Sequence, residues 1–229
     1  MKIGFIGFDL PEGKVKLHDP IMAGLEKKFE PKKVSPFFAE FIKDNADDCE
    51  GVLVAQANAL DVFIRDMEKL EARKERAADE AEKALLDTCL AALEQETPLC
   101  DLTLSDADAV LLKSFSLLTS KPTIVEPSPP ATDDVITRML DKAGLMFFYT
   151  GGKQEVHAWL VKKSSDIVTC AGKIHTDLAR GFIRADVVKY KDLMTAHNLY
   201  DAKAKGLVKV VERDYIIEPE DVIEIRFSV

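Results

Sequence analysis

From Val52 to Thr97 the chain contains neither glycine nor proline. A stretch of that length without either breaker has room for long helices. Leu60, Phe63, Ile64, Met67 and Leu70, and later Leu85, Leu86, Cys89, Leu90 and Leu93, fall on a helical stripe. Between the two sets, Glu71–Glu80 is charged, with alanine as its only apolar residue. One unbroken helix carrying both sets would reach about 58 Å at about 1.5 Å per residue. Two antiparallel helices turning near Ala77–Asp79 would instead cover each other's stripe. The sequence leaves both open, and the charges themselves read as a solvated face.

The flanking segments carry strand signals and turn chemistry. Lys2–Phe8 is a short apolar run that reads as a buried first strand, and Val15 and Leu17 alternate with lysines as a second. Asp19-Pro20 opens a helix with Ile21, Leu25 and Phe29 on one face, ended by Pro31. Phe37–Ile42 and Gly51–Ala55 are two further strands, joined by an acidic turn at Asp44–Asp48 that lacks the glycine and terminal glutamate of a calcium loop. Ser105 and Asp108 have capping-box spacing, Thr123–Val125 is strand-like, and Pro127–Pro130 is a linker. After a helix over Val135–Ala143, Leu145–Thr150, the Gly151-Gly152 turn and Val156–Val161 form a hairpin. Ile167–Ala179 reads as one helix, and Phe182–Tyr190, Leu207–Val211, Tyr215–Ile217 and Val222–Phe227 as strands.

Charge and cysteine usage bound the function. The chain of 229 residues carries a net charge of −9. Residues 144–229 hold 13 Lys and Arg against 12 Asp and Glu, a net of +1, which leaves −10 on residues 1–143. The chain as a whole is therefore no indiscriminate nucleic-acid binder, and anion binding is to be sought in the last third. Cys49, Cys89, Cys100 and Cys170 form no close pair, so they read as buried thiols in a reducing compartment, with no zinc site. The first apolar run stops at Asp9, too soon for a signal peptide, and no run is long enough to span a membrane. A cytoplasmic protein without membrane partners is expected.

Three C-terminal stretches are specific enough to carry a resemblance: Gly144–Thr150 (GLMFFYT), Glu155–Trp159 (EVHAW) and Ala171–Ala185 (AGKIHTDLARGFIRA). They closely resemble the TGS domain (DUF933-type) that ends the Obg-like ATPase (YchF) family, and Asp214-Tyr215 and Asp221–Val229 match it too. Upstream, Leu60–Leu99, Leu104-Ser105 and Leu117–Thr123 (LLTSKPT) resemble that family's helical arm and its return to the nucleotide-binding domain. The resemblance implies association with ribosomes or RNA.

The family's nucleotide apparatus is where the chain departs. A phosphate loop needs glycines that let backbone N–H groups face phosphate, a lysine for the β/γ oxygens, and a Ser/Thr on Mg²⁺. Gly7–Val15 (GFDLPEGKV) has one residue too many between its glycines, puts Asp9 and Glu12 where phosphates would lie, and ends in Val15. Lys43 stands where the Mg²⁺-holding aspartate would be, and Ile124–Pro130 replaces the base-recognition segment. Three parts of one phosphoryl-transfer apparatus are altered together. The expected fold is α+β: a reduced P-loop-like α/β remnant (1–57 plus 100–143), a coiled-coil-like helical arm (58–99) and a C-terminal β-grasp TGS domain (144–229). The expected function is a non-catalytic RNA- or ribosome-associated adaptor, with no catalytic residues, metal or cofactor. The expected binding residues are Lys173, His175, Arg180 and Arg184, crowded around the permissive Gly181. His175-Thr176-Asp177 reads as a helix-capping turn rather than a catalytic base and its orienter, and Trp159 as core rather than a base-stacking platform. The alternative is a residual ATP- or GTP-binding switch with Mg²⁺, for which Gly13 and Lys14 are the nucleotide contacts. Self-association through the arm's apolar stripe is a third reading.

Overall fold

The computed structural model, which describes residues 1–228, divides the long glycine- and proline-free stretch into two helices. In chain order the elements are β1 (Lys2–Ile6), β2 (Gly13–Lys16), α1 (Pro20–Phe29), β3 (Lys33–Ser35), β4 (Phe38–Lys43), β5 (Gly51–Ala55), α2 (Gln56–Lys74) and α3 (Glu80–Glu94). Then come α4 (Asp106–Ser114), β6 (Thr123–Glu126), α5 (Thr132–Lys142), β7 (Leu145–Gly151) and β8 (Glu155–Lys162). The rest is α6 (Ile167–Ile174), α7 (Thr176–Arg180), β9 (Phe182–Lys189), α8 (Tyr190–Thr195), α9 (Leu199–Ala204), β10 (Lys209–Val211) and β11 (Asp221–Phe227). The chain forms two compact units, residues 1–15 with 38–143 and residues 16–37 with 144–229.

The first unit is built on a five-stranded sheet of order β2-β4-β1-β5-β6. β1 pairs parallel with both β4 and β5, and β5 pairs parallel with β6. Every residue of β5 is buried, which is why it reads as a continuous apolar run rather than an alternating one. The break between α2 and α3 is set by Asp79, whose carboxylate accepts from Ala81 N and caps α3. Phe63, Leu70, Leu86, Cys89 and Leu93 enter the same core cluster as Val52 and Val54 of the sheet. The segment 58–99 thus shares its core with the sheet, and the stripe offered for self-association is used inside this unit; Leu60 and Ile64 are its exposed members.

A buried carboxylate fixes the return from the helices to the sheet. Asp66 on α2 is fully buried, and its oxygens accept from Leu118 N (3.0 Å), Thr119 N (2.7 Å) and Thr119 Oγ1 (2.7 Å). These bonds hold the turn that leads into β6. Lys121 follows by donating to the carbonyls of Ala46 (3.0 Å) and Asp47 (2.6 Å).

The second unit contains a six-stranded sheet of order β10-β9-β11-β7-β8-β3. β7 and β8 form the antiparallel hairpin, β3 adds parallel to β8, and β9 lies antiparallel between β11 and β10. One face carries α6 and α7 over Phe148, Ala185, Val187 and Ile223. The other carries α1, α8 and α9 over Tyr149, Val156, Val188 and Val222. Residues 16–37, which the sequence reading keeps with the N-terminal part, belong to this unit because Met22 and Leu25 of α1 and Val34 of β3 fill its second layer. Ile167–Ala179 is two helices rather than one, and Tyr215–Ile217 contributes only an isolated bridge from Ile216 to Asp166. The sequence reading assigns no element to residues 191–206, where most of α8 and all of α9 lie.

Asp66→Ala strands the buried N–H groups of Leu118 and Thr119. At about 1–3 kcal/mol for each unsatisfied group, the loss should be about 2–6 kcal/mol. It is read as a lowered urea midpoint by far-ultraviolet circular dichroism.

Candidate functional site

The candidate binding residues lie where α6 gives way to α7. Asp166 caps α6, its carboxylate accepting from Thr169 N at 2.7 Å, and the helix buries Ile167, Cys170 and Ala171. Lys173 is on the exposed side of its last turn. At His175 the backbone becomes extended (φ −163°, ψ 142°), which ends α6 and begins α7. The His175 ring is itself the cap: Nδ1 accepts from Asp177 N at 3.2 Å, which places the neutral ring's proton on Nε2. α7 closes on Gly181, where a side chain would collide with the Ser228 carbonyl, so the close approach of the end of the chain requires glycine there.

Lys173, His175 and Arg180 are all exposed on this segment. Arg184 is not with them. On β9, Ala185 and Val187 point into the layer beneath α6, and Asp186 and Val188 point to the opposite side. Arg184 shares the parity of Asp186 and Val188, and the register sets it directly across from Arg226 of β11. The four expected binding residues therefore divide three to one between the faces of the sheet. The sequence places them close together in the chain, but the alternation of the strand sends the last to the other side.

On Arg184's face lies a group the sequence reading did not single out. Asp186, 2% exposed, accepts from Lys203 at 3.3 Å and from Arg226. An aspartate inside the apolar run of β9 was the available signal for this ion-paired site. Among the described residues Lys173, Arg180 and Arg184 form no ion pair.

Trp159 and His157 occupy the α6-side face of the hairpin. The Trp159 ring is stacked on His157 (centroids 3.6 Å apart, 14° between planes), which covers one of its faces, and lies near-parallel to Phe148 at 6.3 Å (13°). Its Nε1 donates to Thr150 Oγ1 at 2.9 Å. His157 Nδ1 lies 3.1 Å from Glu155, whose Oε1 also accepts from Lys33 (2.9 Å) and Ser35 (2.7 Å). Burial pushes the His157 pKa below its ordinary value, while Glu155 pulls it upward. The hydrogen bond from Lys33 holds the Glu155 carboxyl below the usual range.

At the other end of the chain, Gly13 (φ +92°) opens β2 and Lys14 is exposed on that strand. The next helix in sequence, α1, begins only at Pro20 behind the Asp19 cap. The end of β1 is closed by Gly7 (φ +80°), where an added Cβ would collide with the Asn58 side chain of α2 and with Ala55. Lys43 ends β4, level with Phe5 of β1. Among the described residues no three His, Cys, Asp or Glu side chains are placed to hold a metal ion, and no helix is long and apolar enough to cross a membrane. The four cysteines are free, and burial pushes the thiols of Cys89 and Cys170 up to about 11 and about 12.

Comparison with known proteins places this geometry. Residues 145–228 match the family model YchF-GTPase_C, described as a protein of unknown function (DUF933). Over its C-terminal third the chain is a relative of the YchF and Obg-like ATPases. It is 41% identical over 97 residues to the ribosome-binding ATPase YchF of Bacillus subtilis, a match covering 42% of this chain and 26% of that protein. It is 40% identical over 84 residues to human Obg-like ATPase 1, covering 37% of this chain and 21% of that protein. The matched stretch thus spans about a quarter of these curated relatives. The solved structure of the Schizosaccharomyces pombe YchF GTPase has a similar fold, with a TM-score of 0.77 at 16% identity, over 96% of this chain and 88% of that one.

The His157 ring should titrate below 6.5 by NMR, and Glu155→Gln should lower its pKa further by removing the upward pull. Because the folded pKa is depressed, the unfolded chain binds the proton first as pH falls. This contribution to stability is full above pH 6.5 and declines as pH drops toward the folded value. A ring that titrates above 6.5 would contradict the burial argument.

Proposed function

We propose that this protein is a non-catalytic RNA- or ribosome-associated adaptor that keeps the YchF-type C-terminal module and has lost the nucleotide-binding motifs. The observation that carries the reading is the path of the chain after β1. A phosphate loop requires the lysine at the start of a helix whose free N–H groups face the anion. Here Lys14 lies on the strand β2, and the Asn58 side chain closes the end of β1 beside Gly7.

The second unit supports a β-grasp TGS module. A hairpin (β7, β8), a helix crossing one face (α6), and a C-terminal strand (β11) parallel to β7 at the centre of the sheet are the parts of that architecture. The first unit supports a reduced P-loop-like remnant, its parallel strands intact and its phosphate loop replaced. Lys173, His175 and Arg180 form the proposed contact to RNA phosphate, with Arg184 acting from the other face. The ribosome-binding ATPases among its relatives support a ribosomal partner and a cytoplasmic setting.

A second reading, a residual ATP- or GTP-dependent switch with Mg²⁺, is favoured by the names of those relatives, which are ATPases. Gly13 and Lys14 would contact the nucleotide in that case. The two readings separate by titration calorimetry. The adaptor predicts no heat with Mg-ATP or Mg-GTP at a dissociation constant tighter than about 100 μM, equivalent to about 5.4 kcal/mol. A clear heat abolished by Lys14→Ala would establish the switch.

The adaptor itself is tested by co-sedimentation with ribosomes. Lys173→Glu with Arg180→Glu should release the protein to the supernatant. Raising salt from about 50 to about 200 mM should weaken binding about tenfold, as expected for two or three phosphate contacts. Salt-insensitive binding unaffected by the double substitution would remove the phosphate contact.

A further inference from the structure

The six-stranded sheet of the second unit ends in β3, a three-residue strand paired parallel with β8. The register sets Lys33 across from Glu155, Val34 from Val156 and Ser35 from His157. Val34 turns to the α1 side and enters that apolar layer, so Lys33 and Ser35 turn to the α6 side. There both end on one atom. Glu155 Oε1 accepts from Lys33 Nζ at 2.9 Å and from Ser35 Oγ at 2.7 Å. The same oxygen lies 3.1 Å from His157 Nδ1. One carboxylate oxygen thus serves both strands.

His157 is placed to compete for that oxygen. Its ring is half-buried and stacked on Trp159. The charged groups that face it are Glu155 on its own strand and Lys33 on β3. Its neighbours across the strands, Ser35 and Thr150, are uncharged, and Ile174 and Leu178 of α6 and α7, on the same side of the sheet, are apolar. While the ring is neutral, Glu155 balances Lys33. A proton on the ring sets two cations against one carboxylate. Separating β3 from β8 relieves this twice, because it takes Lys33 away and leaves Glu155 to His157 alone. The opened seam therefore binds the proton more tightly than the closed one. Burial, with Lys33 adding to it, depresses the closed ring's pKa against the pull of Glu155. Pairing of β3 is thus strongest above pH 6.5 and weakens as pH falls toward that depressed value.

We propose that His157 and Glu155 form a proton-operated latch on β3. Protonation of the ring draws the Glu155 carboxylate from Lys33 and Ser35 to His157 and loosens β3 from the edge of β8. What is uncovered is the outer backbone edge of β8 from Glu155 to His157, with Val156 facing the α1 layer. Acidification therefore changes which strand edge this unit presents. The latch lies within the second unit and stands apart from the phosphate contacts proposed above.

The test follows the whole protein, ¹⁵N-labelled, between about pH 7.5 and about pH 5, a range that spans the titration of a histidine. Hydrogen-exchange protection factors divide out the intrinsic pH dependence of exchange. Those of the Lys33–Ser35 amides should fall about threefold across the His157 titration, the worth of one partly exposed ion pair, while β9 and β11 keep theirs. His157→Gln should keep β3 protected at both ends of the range. Lys33→Met removes the competing cation and should raise the His157 pKa, read from its ring-proton shifts, whether or not β3 stays paired. Protection of β3 that is unchanged across the His157 titration, the same acid loss in His157→Gln, or a His157 pKa unmoved by Lys33→Met would each overturn the latch.

Discussion

The second unit depends on one tyrosine. Tyr149 is the residue of β7 that stands in register with β11, opposite Val222, and so it joins the hairpin half of the sheet to the half formed by β9, β10 and β11. Its hydroxyl donates to Asp19 Oδ2 at 2.7 Å, and the other oxygen of the same carboxylate accepts from Ile21 N at 2.8 Å to cap α1. One aspartate thereby fixes a helix and the central strand pair together. Burial, with Asp19 beside it, pushes the Tyr149 pKa up, so the hydroxyl stays a donor. The start of β11 is held just as firmly: fully buried Asp221 accepts from Tyr215 (2.9 Å) and Glu218 N (2.9 Å) and pairs with Lys189 (2.8 Å).

The same arrangement explains where the strand is left open. β11 is pinned at Asp221 and Val222 and tied at its far end by Ser228 N donating to the Gly181 carbonyl at 2.9 Å. Between those anchors one edge bonds to β9 and the other, among the described residues, has no strand partner past Val222. Gly181 thus serves the end of the chain as much as the loop in which the sequence places it. His175 has a comparable double position, ending one helix and capping the next, which gives its imidazole a structural duty and accounts for its place between two exposed cations.

Much of the fold was legible in sequence. The continuous apolar run at Gly51–Ala55 reads as a doubly buried strand, Asp19-Pro20 as a helix start, Ser105 as a cap, and Gly151-Gly152 as a hairpin turn, because each is a local signal acting within a few residues. What escaped was non-local or weakly patterned: the short strand β3, the helices α8 and α9, and the break at His175. β3 exists because β8 offers an edge, and α8 and α9 because Leu193, Ala196 and Ala202 have a layer to fill. None of these is inscribed in its own segment.

The chain's order of residues already fixes the chemistry available: the family resemblance of the C-terminal third, the concentration of acid before residue 144, the Gly7–Val15 stretch around Lys14, and the cations near Gly181. How those groups are combined follows from the folded arrangement. It sent Arg184 to the face opposite Lys173, His175 and Arg180, folded the helical stripe into the core of the first unit, and drew residues 16–37 into the second. The reason is physical. Side-chain identity is local, but which face a side chain shares, and which strand edge remains unpaired, depend on register between segments far apart in the chain.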